Sequence, residues 1–247
     1  MKKRFLCSLF AAASFASQAS VVEMQTSQGT IKIDLFDQQT PKTVANFLSY
    51  VESEAYNQTV IHRSIENFII QGGGFKFTDD FEAVETSPAV ANEPVLSNVK
   101  GTVAMAKLGN NANSATSQWF FNLKDNSANL DVQNGGFTVF GQITPDSYAV
   151  LDKISALVHC GEIPVVDITK EQCSNADTVI AINNLVSINS VVVLDDDPNS
   201  SVNLSPKENT LIDNADSTDP GEGDSSSGSI SWLLPLLLLG FKRRRVA

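Results

Sequence analysis

Apolar and polar residues alternate over Val22-Glu23-Met24-Gln25 and again over Ile31-Lys32-Ile33-Asp34-Leu35, either side of Gln28-Gly29. A period of two around a turn is the mark of a half-buried hairpin, so two strands open the chain. The period then changes. Thr40-Pro41 offers a cap followed by proline at the first helical position, and Val44, Phe47, Leu48 and Val51 recur at helical spacing, which predicts one amphipathic helix. From residue 60 to 143 the chain breaks into short β-like runs, 60–65, 68–71, 102–106, 118–123 and 138–143, parted by Gly, Asn and Asp clusters. That texture belongs to a barrel or sandwich. Residues 145–154 predict a second helix with Val150, Leu151 and Ile154 on its apolar face, and 185–194 form a late strand able to pair with the first hairpin and close a barrel. Residues 155–184 show no clear period and read as a loop.

The two ends do not read as packed structure. Residues 1–19 run from Lys2, Lys3 and Arg4 through an apolar stretch to Ser17-Gln18-Ala19, the order of a secretory signal peptide rather than of a buried helix. The folded domain is therefore expected at 20–194, long enough for one core. From Asp195 to Ser229 the chain is rich in Asp, Ser, Asn and Pro and poor in aromatics, which predicts an acidic disordered linker. Residues 230–247 hold a 12-residue apolar run ending in Lys242-Arg243-Arg244-Arg245, shorter than the ~17–25 residues that span a bilayer comfortably. The arginines would stay on the cytoplasmic side. This end resembles the C-terminal sorting tails of Gram-negative bacteria that a rhomboid-like protease removes, with Ser225 to Ser229 where such tails carry paired glycines. The resemblance implies transient inner-membrane anchoring before a periplasmic, surface or secreted destination; a permanent short anchor is the alternative.

Charge narrows the partners. Of 17 basic residues, seven lie in the leader and the tail, leaving 10 against all 28 acidic ones, a net −18. Phosphate binding needs clustered cations, so this charge disfavours nucleic acid and anionic lipid as targets and mainly keeps an exported protein soluble. Export also takes Cys7 away with the leader and leaves Cys160 and Cys173, an even pair for an oxidising compartment, so a disulfide stapling 155–184 is expected. A metal set of His159, Cys160 and Cys173 is the alternative, but the spacing matches no zinc motif.

The chemistry-bearing residues are concentrated in two blocks. No Gly-x-Ser-x-Gly, His-Glu-x-x-His or phosphate loop occurs, which removes most hydrolases and metalloenzymes and suits a reaction that breaks no covalent bond. The first block, Ile61-His62-Arg63-Ser64-Ile65-Glu66-Asn67-Phe68-Ile69-Ile70-Gln71-Gly72-Gly73-Gly74, reads as a hairpin that gathers a cation, an amide and apolar groups. Taken alone it is equally an ordinary barrel hairpin with a snorkelling arginine. The second, Ser117-Gln118-Trp119-Phe120-Phe121-Asn122, alternates so that Gln118, Phe120 and Asn122 share a mixed face opposite a wholly apolar one.

Together these blocks, with Leu130-Asp131 and Phe137-Thr138-Val139-Phe140-Gly141, closely resemble the cyclophilin family, whose hallmark His-Arg-x-Ile-x-x-Phe-x-x-Gln-Gly-Gly stands from His62 to Gly73. The resemblance implies a mainly β fold, a closed eight-stranded antiparallel barrel capped by two helices, and peptidyl-prolyl cis-trans isomerase activity without a cofactor. It places the catalytic group on Arg63, Phe68 and Gln71. Substrate contacts fall on Ile69, Phe120 and Leu130, which with Phe68 form the proline pocket, on Phe137 and Gln118, and on a backbone-docking segment at Ala106, Lys107 and Leu108. The implied substrates are proline-containing exported polypeptides, met by a monomer that assists their folding. A catalytically weak chaperone or surface module using the same groove is the alternative. Asn129, standing where many members carry an aromatic residue, implies weak cyclosporin binding.

Overall fold

The computed structural model describes residues 20–195 and 204–212; the leader and sorting-tail readings lie outside them. The opening alternation forms β1 (Val21–Thr26) and β2 (Gly29–Leu35), with Met24 opposite Ile31 and the apolar set Val22, Met24, Ile31, Ile33 and Leu35 fully buried. The helix follows as α1 (Pro41–Glu52), burying Val44, Phe47, Tyr50 and Val51. Thr40 precedes it without capping it: its hydroxyl donates to the Phe36 carbonyl. The free N–H groups of the first turn go instead to Glu93, whose carboxylate accepts from Thr43 at 2.9 Å and Lys42 at 3.3 Å. A charged acceptor at the positive end of a helix outbids a neutral hydroxyl.

The run at 59–65 divides into β3 (Thr59–Val60) and β4 (Arg63–Ile65), and the next into β5 (Ile69–Gly72) and β6 (Phe75–Phe77), followed by β7 (Phe81–Ala83). Then come β8 (Thr102–Met105), β9 (Trp119–Asn122), the short α2 (Ser127–Leu130), β10 (Val139–Ile143), and α3 (Tyr148–Ser155). The hairpin β11 (Val158–Cys160) and β12 (Ile163–Val165), α4 (Lys170–Cys173) and β13 (Ser187–Asp195) complete the domain. Hydrogen-bonded neighbours run β4-β5-β9-β8-β10-β2-β1-β13-β3-β6-β7. Because β3 and β4 are pieces of one segment, the sheet returns on itself: Val60 faces Ser187 of β13 while Arg63 faces Gln71 of β5. Counted by continuous segments, the ring is 59–65, 69–77, β9, β8, β10, β2, β1 and β13, the eight staves the family resemblance implies. Its interior holds Phe47, Tyr56, Trp119, Phe121 and Phe140, and α3 adds Leu151 and Ile154.

Two segments depart from the sequence reading. Residues 155–184 are not a loop but a small structured unit, in which β11, β12 and α4 pack Val158, Cys160, Ile163, Val165 and Cys173 against Val60 and Leu185 of the barrel wall. Scattered aliphatics on three short elements leave no single period to read. Cys160 and Cys173 are joined by a disulfide with Cα atoms 5.0 Å apart, so the metal alternative does not arise; closing a loop of this size stabilises the unit by about 3 kcal/mol. Residues 204–212, within the predicted linker, lie along residues 95–97: Ser97 donates to the Lys207 carbonyl at 2.8 Å and Asn209 to the Val95 carbonyl at 2.9 Å. The Asn209 amide reaches the carbonyls of Pro94 and Asp131, and Leu204 packs on an apolar cluster outside the barrel. Edge backbone with open partners accepts even a polar strand when one amide and one leucine anchor it.

Each residue of the triple glycine is crowded. A Cβ on Gly72 would meet the Trp119 ring at 2.8 Å, and one on Gly74 would meet the Gln118 side chain at 2.8 Å. Gly73 adds a φ of +75°, with Trp119 Nε1 at 2.6 Å and the Ser117 carbonyl at 2.7 Å from that position. Gly73→Ala should therefore cost about 2–4 kcal/mol in denaturant unfolding, backbone strain and overpacking together; a variant of wild-type stability would show that this corner is free to relax.

Candidate active site

Strand register puts three polar side chains in a row. Arg63 on β4 is paired with Gln71 on β5, and Gln71 with Phe120 on β9, so residue 118, two positions before Phe120, continues the same face. Arg63 Nη1 donates to Gln71 Oε1 at 3.3 Å, and Gln71 Nε2 donates to Gln118 Oε1 at 2.8 Å. Arg63 and Gln71 are nearly closed to water, at 4 % and 7 % exposure. The remaining guanidinium nitrogens differ sharply: Nε donates to the Glu162 carboxylate at 2.6 Å, whereas Nη2 is buried without a hydrogen-bond partner. One guanidinium nitrogen is left closed to water and without a partner.

Beside this row lies an apolar cluster on the outer face of the sheet. Ile69, Phe120 and Leu130 are buried in it, with Phe68 and Ala106 half-buried at its margin. Phe36, Leu96, Ala104 and Val139 close it from below. Phe137, 1 % exposed, meets Phe120 edge-on with centroids 5.8 Å apart and is closed to water like Ile69, Phe120 and Leu130, so only the margin, where Leu204 also packs, is half open. Leu130 is held by its neighbour Asp131, which accepts from Ser97 Oγ at 2.5 Å and from the backbone and side chain of Asn98 at 2.7 and 3.0 Å. Lys107 turns inward: its ammonium donates to the carbonyls of Asn134 and Gly136 and lies 4.8 Å over the Phe137 ring. Burial pushes its pKa down to about 8, which still leaves it charged at neutral pH. Leu108 is exposed, but its N–H is bonded to Ser114 Oγ and its carbonyl to Asn134 Nδ2. Backbone docking at this residue would have to displace those bonds.

The site thus sets a buried cation and two amides beside an apolar cluster. The family model for cyclophilin type peptidyl-prolyl cis-trans isomerases matches residues 21–175. The chain belongs to the cyclophilin family. Its relatives include a peptidyl-prolyl cis-trans isomerase of Acinetobacter baylyi, 41 % identical over 139 residues, which are 55 % of this chain and 72 % of that one. Isomerase A of Dickeya dadantii is 40 % identical over 167 residues, 63 % of this chain and 85 % of the relative. Among solved structures, a Cryptosporidium parvum cyclophilin crystallised with the dipeptide Ala-Pro has a TM-score of 0.52 at 23 % identity, covering 71 % of this chain and 99 % of its own; at that identity it speaks for the fold. The protein is a peptidyl-prolyl cis-trans isomerase of the cyclophilin type.

The cyclophilin site contains one group that the sequence did not disclose. Glu162 sits between the two cysteines, 99 positions from Arg63, and only the folding of β11 and β12 against β4 brings it there. A cavity of about 610 Å³, lined among others by Glu66, His159, Lys170 and Cys173, lies around the same stapled unit and includes none of Arg63, Gln71, Gln118 or the apolar cluster.

His62, adjacent to the arginine, is 4 % exposed and stacks edge-on against Phe75 at 4.9 Å. Burial pushes its pKa down to about 4, so it stays neutral at physiological pH and adds no charge beside Arg63. The unfolded chain takes up this proton near the ordinary 6.5 and the folded chain only near 4, so stability is full above pH 6.5 and is lost as pH falls through that window. The loss is about 3 kcal/mol. Denaturant unfolding from pH 7 to pH 4 should show His62→Gln losing that much less than wild type; equal slopes would mean that His62 is not held neutral.

Proposed function

We propose that Arg63 catalyses rotation about X-Pro bonds of exported polypeptides by donating a hydrogen bond from its guanidinium to the proline nitrogen in the twisted state. Rotation is slow because it destroys amide resonance, at a barrier of about 18–20 kcal/mol. Twisting makes the proline nitrogen pyramidal and gives it a lone pair that the planar amide lacks. A donor aimed at that nitrogen therefore binds the transition state better than either ground state, which is the condition for catalysis. What supports this is a guanidinium oriented by Glu162 at Nε and Gln71 at Nη1 beside the apolar cluster, with Nη2 lacking a hydrogen-bond partner; Nη2 is closed to water, so substrate reaches it only by displacing the groups that cover it.

Phe68 and Ala106, the half-buried margin of the apolar cluster, meet the proline ring while the preceding residue turns, Ile69, Phe120 and Leu130 lie closed behind them until substrate parts the margin, and Gln71 and Gln118 steady the arginine and the substrate backbone. Shortening a ~30 s isomerisation to ~1 ms needs roughly 6 kcal/mol of selective stabilisation. A single preorganised charged donor in a water-poor site supplies about 3–4 kcal/mol, and holding the ring and excluding water supply the rest. Export, and with it a role in folding proteins outside the cytoplasm, rests on the reading of residues 1–19 as a signal peptide and on the oxidising compartment that a disulfide requires.

Arg63→Ala should lower kcat/KM on a proline tetrapeptide by about 10²–10³-fold, with the melting temperature moved by only a few degrees because Glu162, 37 % exposed at its side chain, can turn to water. Arg63→Lys should recover little, having no planar fork. A wild-type protein folded by circular dichroism yet inactive, or an Arg63→Ala variant at full rate, would end this reading.

A further inference from the structure

Two consecutive residues of β4 are gripped by one residue of the stapled hairpin. The Glu162 carboxylate accepts from Arg63 Nε at 2.6 Å, and the Glu162 backbone carbonyl accepts from the Ser64 N–H at 2.6 Å. Glu162 lies in the two-residue turn between β11 and β12, where Cys160 pairs with Ile163 and Gly161 takes a φ of +66°. The hairpin is fixed at both ends. At its root, Val165 bridges to Leu185, which leads into β13 of the barrel. Next to its tip, Cys160 is bonded to Cys173 on α4, whose first turn is closed by a reciprocal cap between Thr169 and Gln172.

We infer that Glu162 is a positioning residue for isomerisation, and that the Cys160–Cys173 staple holds it in register with Arg63. The inference rests on the role of Arg63 given above. A guanidinium is planar, and a single hydrogen bond leaves it free to swing about that bond. Bonds to two nitrogens from two different elements fix its plane. Gln71 provides one, at the long distance of 3.3 Å, and Glu162 provides the other, short and charge-assisted. With both made, the direction of Nη2 is set before substrate arrives, and orientation of this kind is worth up to about 100-fold per ångström of misplacement. Gln71, the other side chain bonded to Arg63, carries no charge, and among the described residues Glu162 is the one carboxylate in ion-pair contact with Arg63.

The test separates positioning from charge. NMR exchange measurements on a proline tetrapeptide give kcat and KM separately for the full chain. Glu162→Ala should lower kcat about tenfold with KM changed less than about twofold, because the pocket is intact and the donor wanders. Glu162→Gln, which keeps an acceptor and loses the charge, should recover kcat to within about twofold of wild type. The Arg63 Nε–H resonance should exchange slowly with water in wild type and in Glu162→Gln, and rapidly in Glu162→Ala. The Cys160→Ser/Cys173→Ser pair should match Glu162→Ala, and combining all three changes should add nothing more. Wild-type kcat in Glu162→Ala would overturn the proposal, and a faster Glu162→Ala would make Glu162 an inhibitory counter-charge instead. If the serine pair fails to fold, the two Glu162 variants decide. An active wild type that needs Arg63 but ignores Glu162 would defeat only this inference, whereas an inactive wild type would defeat the isomerase mechanism and leave the Nε–H signal to judge the positioning.

Discussion

The structure around the site is organised by a single demand, that a guanidinium be buried at 4 % exposure and still keep a free donor. Removing an ion from water costs several kcal/mol unless fixed partners replace its hydration. Saturating all three nitrogens would meet that cost and leave no donor for the role proposed for Arg63. This chain meets it in part, with one carboxylate and one amide, and leaves Nη2 unmatched. The partners come from opposite sides: Gln71 through the register of the barrel wall, Glu162 through a hairpin laid across the outside of it.

The barrel provides its half of that arrangement because a strand has two faces. Along β9, Trp119 and Phe121 fill the interior while Phe120 stands in the outer cluster, one position out of phase. A slip of one residue would exchange core for groove, so the large interior rings that stabilise the fold also lock the site's register. The three glycines serve the same end: they let β5 pass into β6 hard against the Trp119 ring and leave room for Gln118 to reach Gln71. The buried network of Ser97, Asn98 and Asp131 does for Leu130 what the register does for Phe120.

These features were unequally legible in the sequence. The opening hairpin, both capping helices and the late strand follow from period alone, since each element buries one face against one core. Arg63 and Gln71 come together in one hairpin, but Gln118, 47 positions from Gln71, joins them through the β5–β9 pairing, which the sequence offered only through the family resemblance. Glu93 as the cap of α1 was hidden, since a carboxylate 50 positions away leaves no local mark and Thr40-Pro41 offered a sufficient cap by itself. Glu162 was hidden for a similar reason: the stapled unit is built from elements of three or four residues, too short for any period to emerge. Its cysteine pair said only that the segment was held, and gave no indication of what it was held against. The docking of residues 204–212 was masked by composition, because polar residues that would be disordered in isolation need only Asn209 and Leu204 to settle along an open edge.

In the role proposed for Arg63, a carboxylate against it has two opposing effects, and their sizes decide between them. It weakens the field at the proline nitrogen: a full charge 6 Å from another contributes about 3 kcal/mol at an effective dielectric of 20. The pyramidal nitrogen, however, is neutral and gains only a fraction of a charge, so the loss is a fraction of that, on the order of 1 kcal/mol. Against it stands orientation, where a misplacement of about 1 Å forfeits up to 100-fold, close to 3 kcal/mol. In a reaction that moves no full charge, the geometry of the donor outweighs its net charge, and an anion that would impair catalysis of an ionic step can here be a net gain.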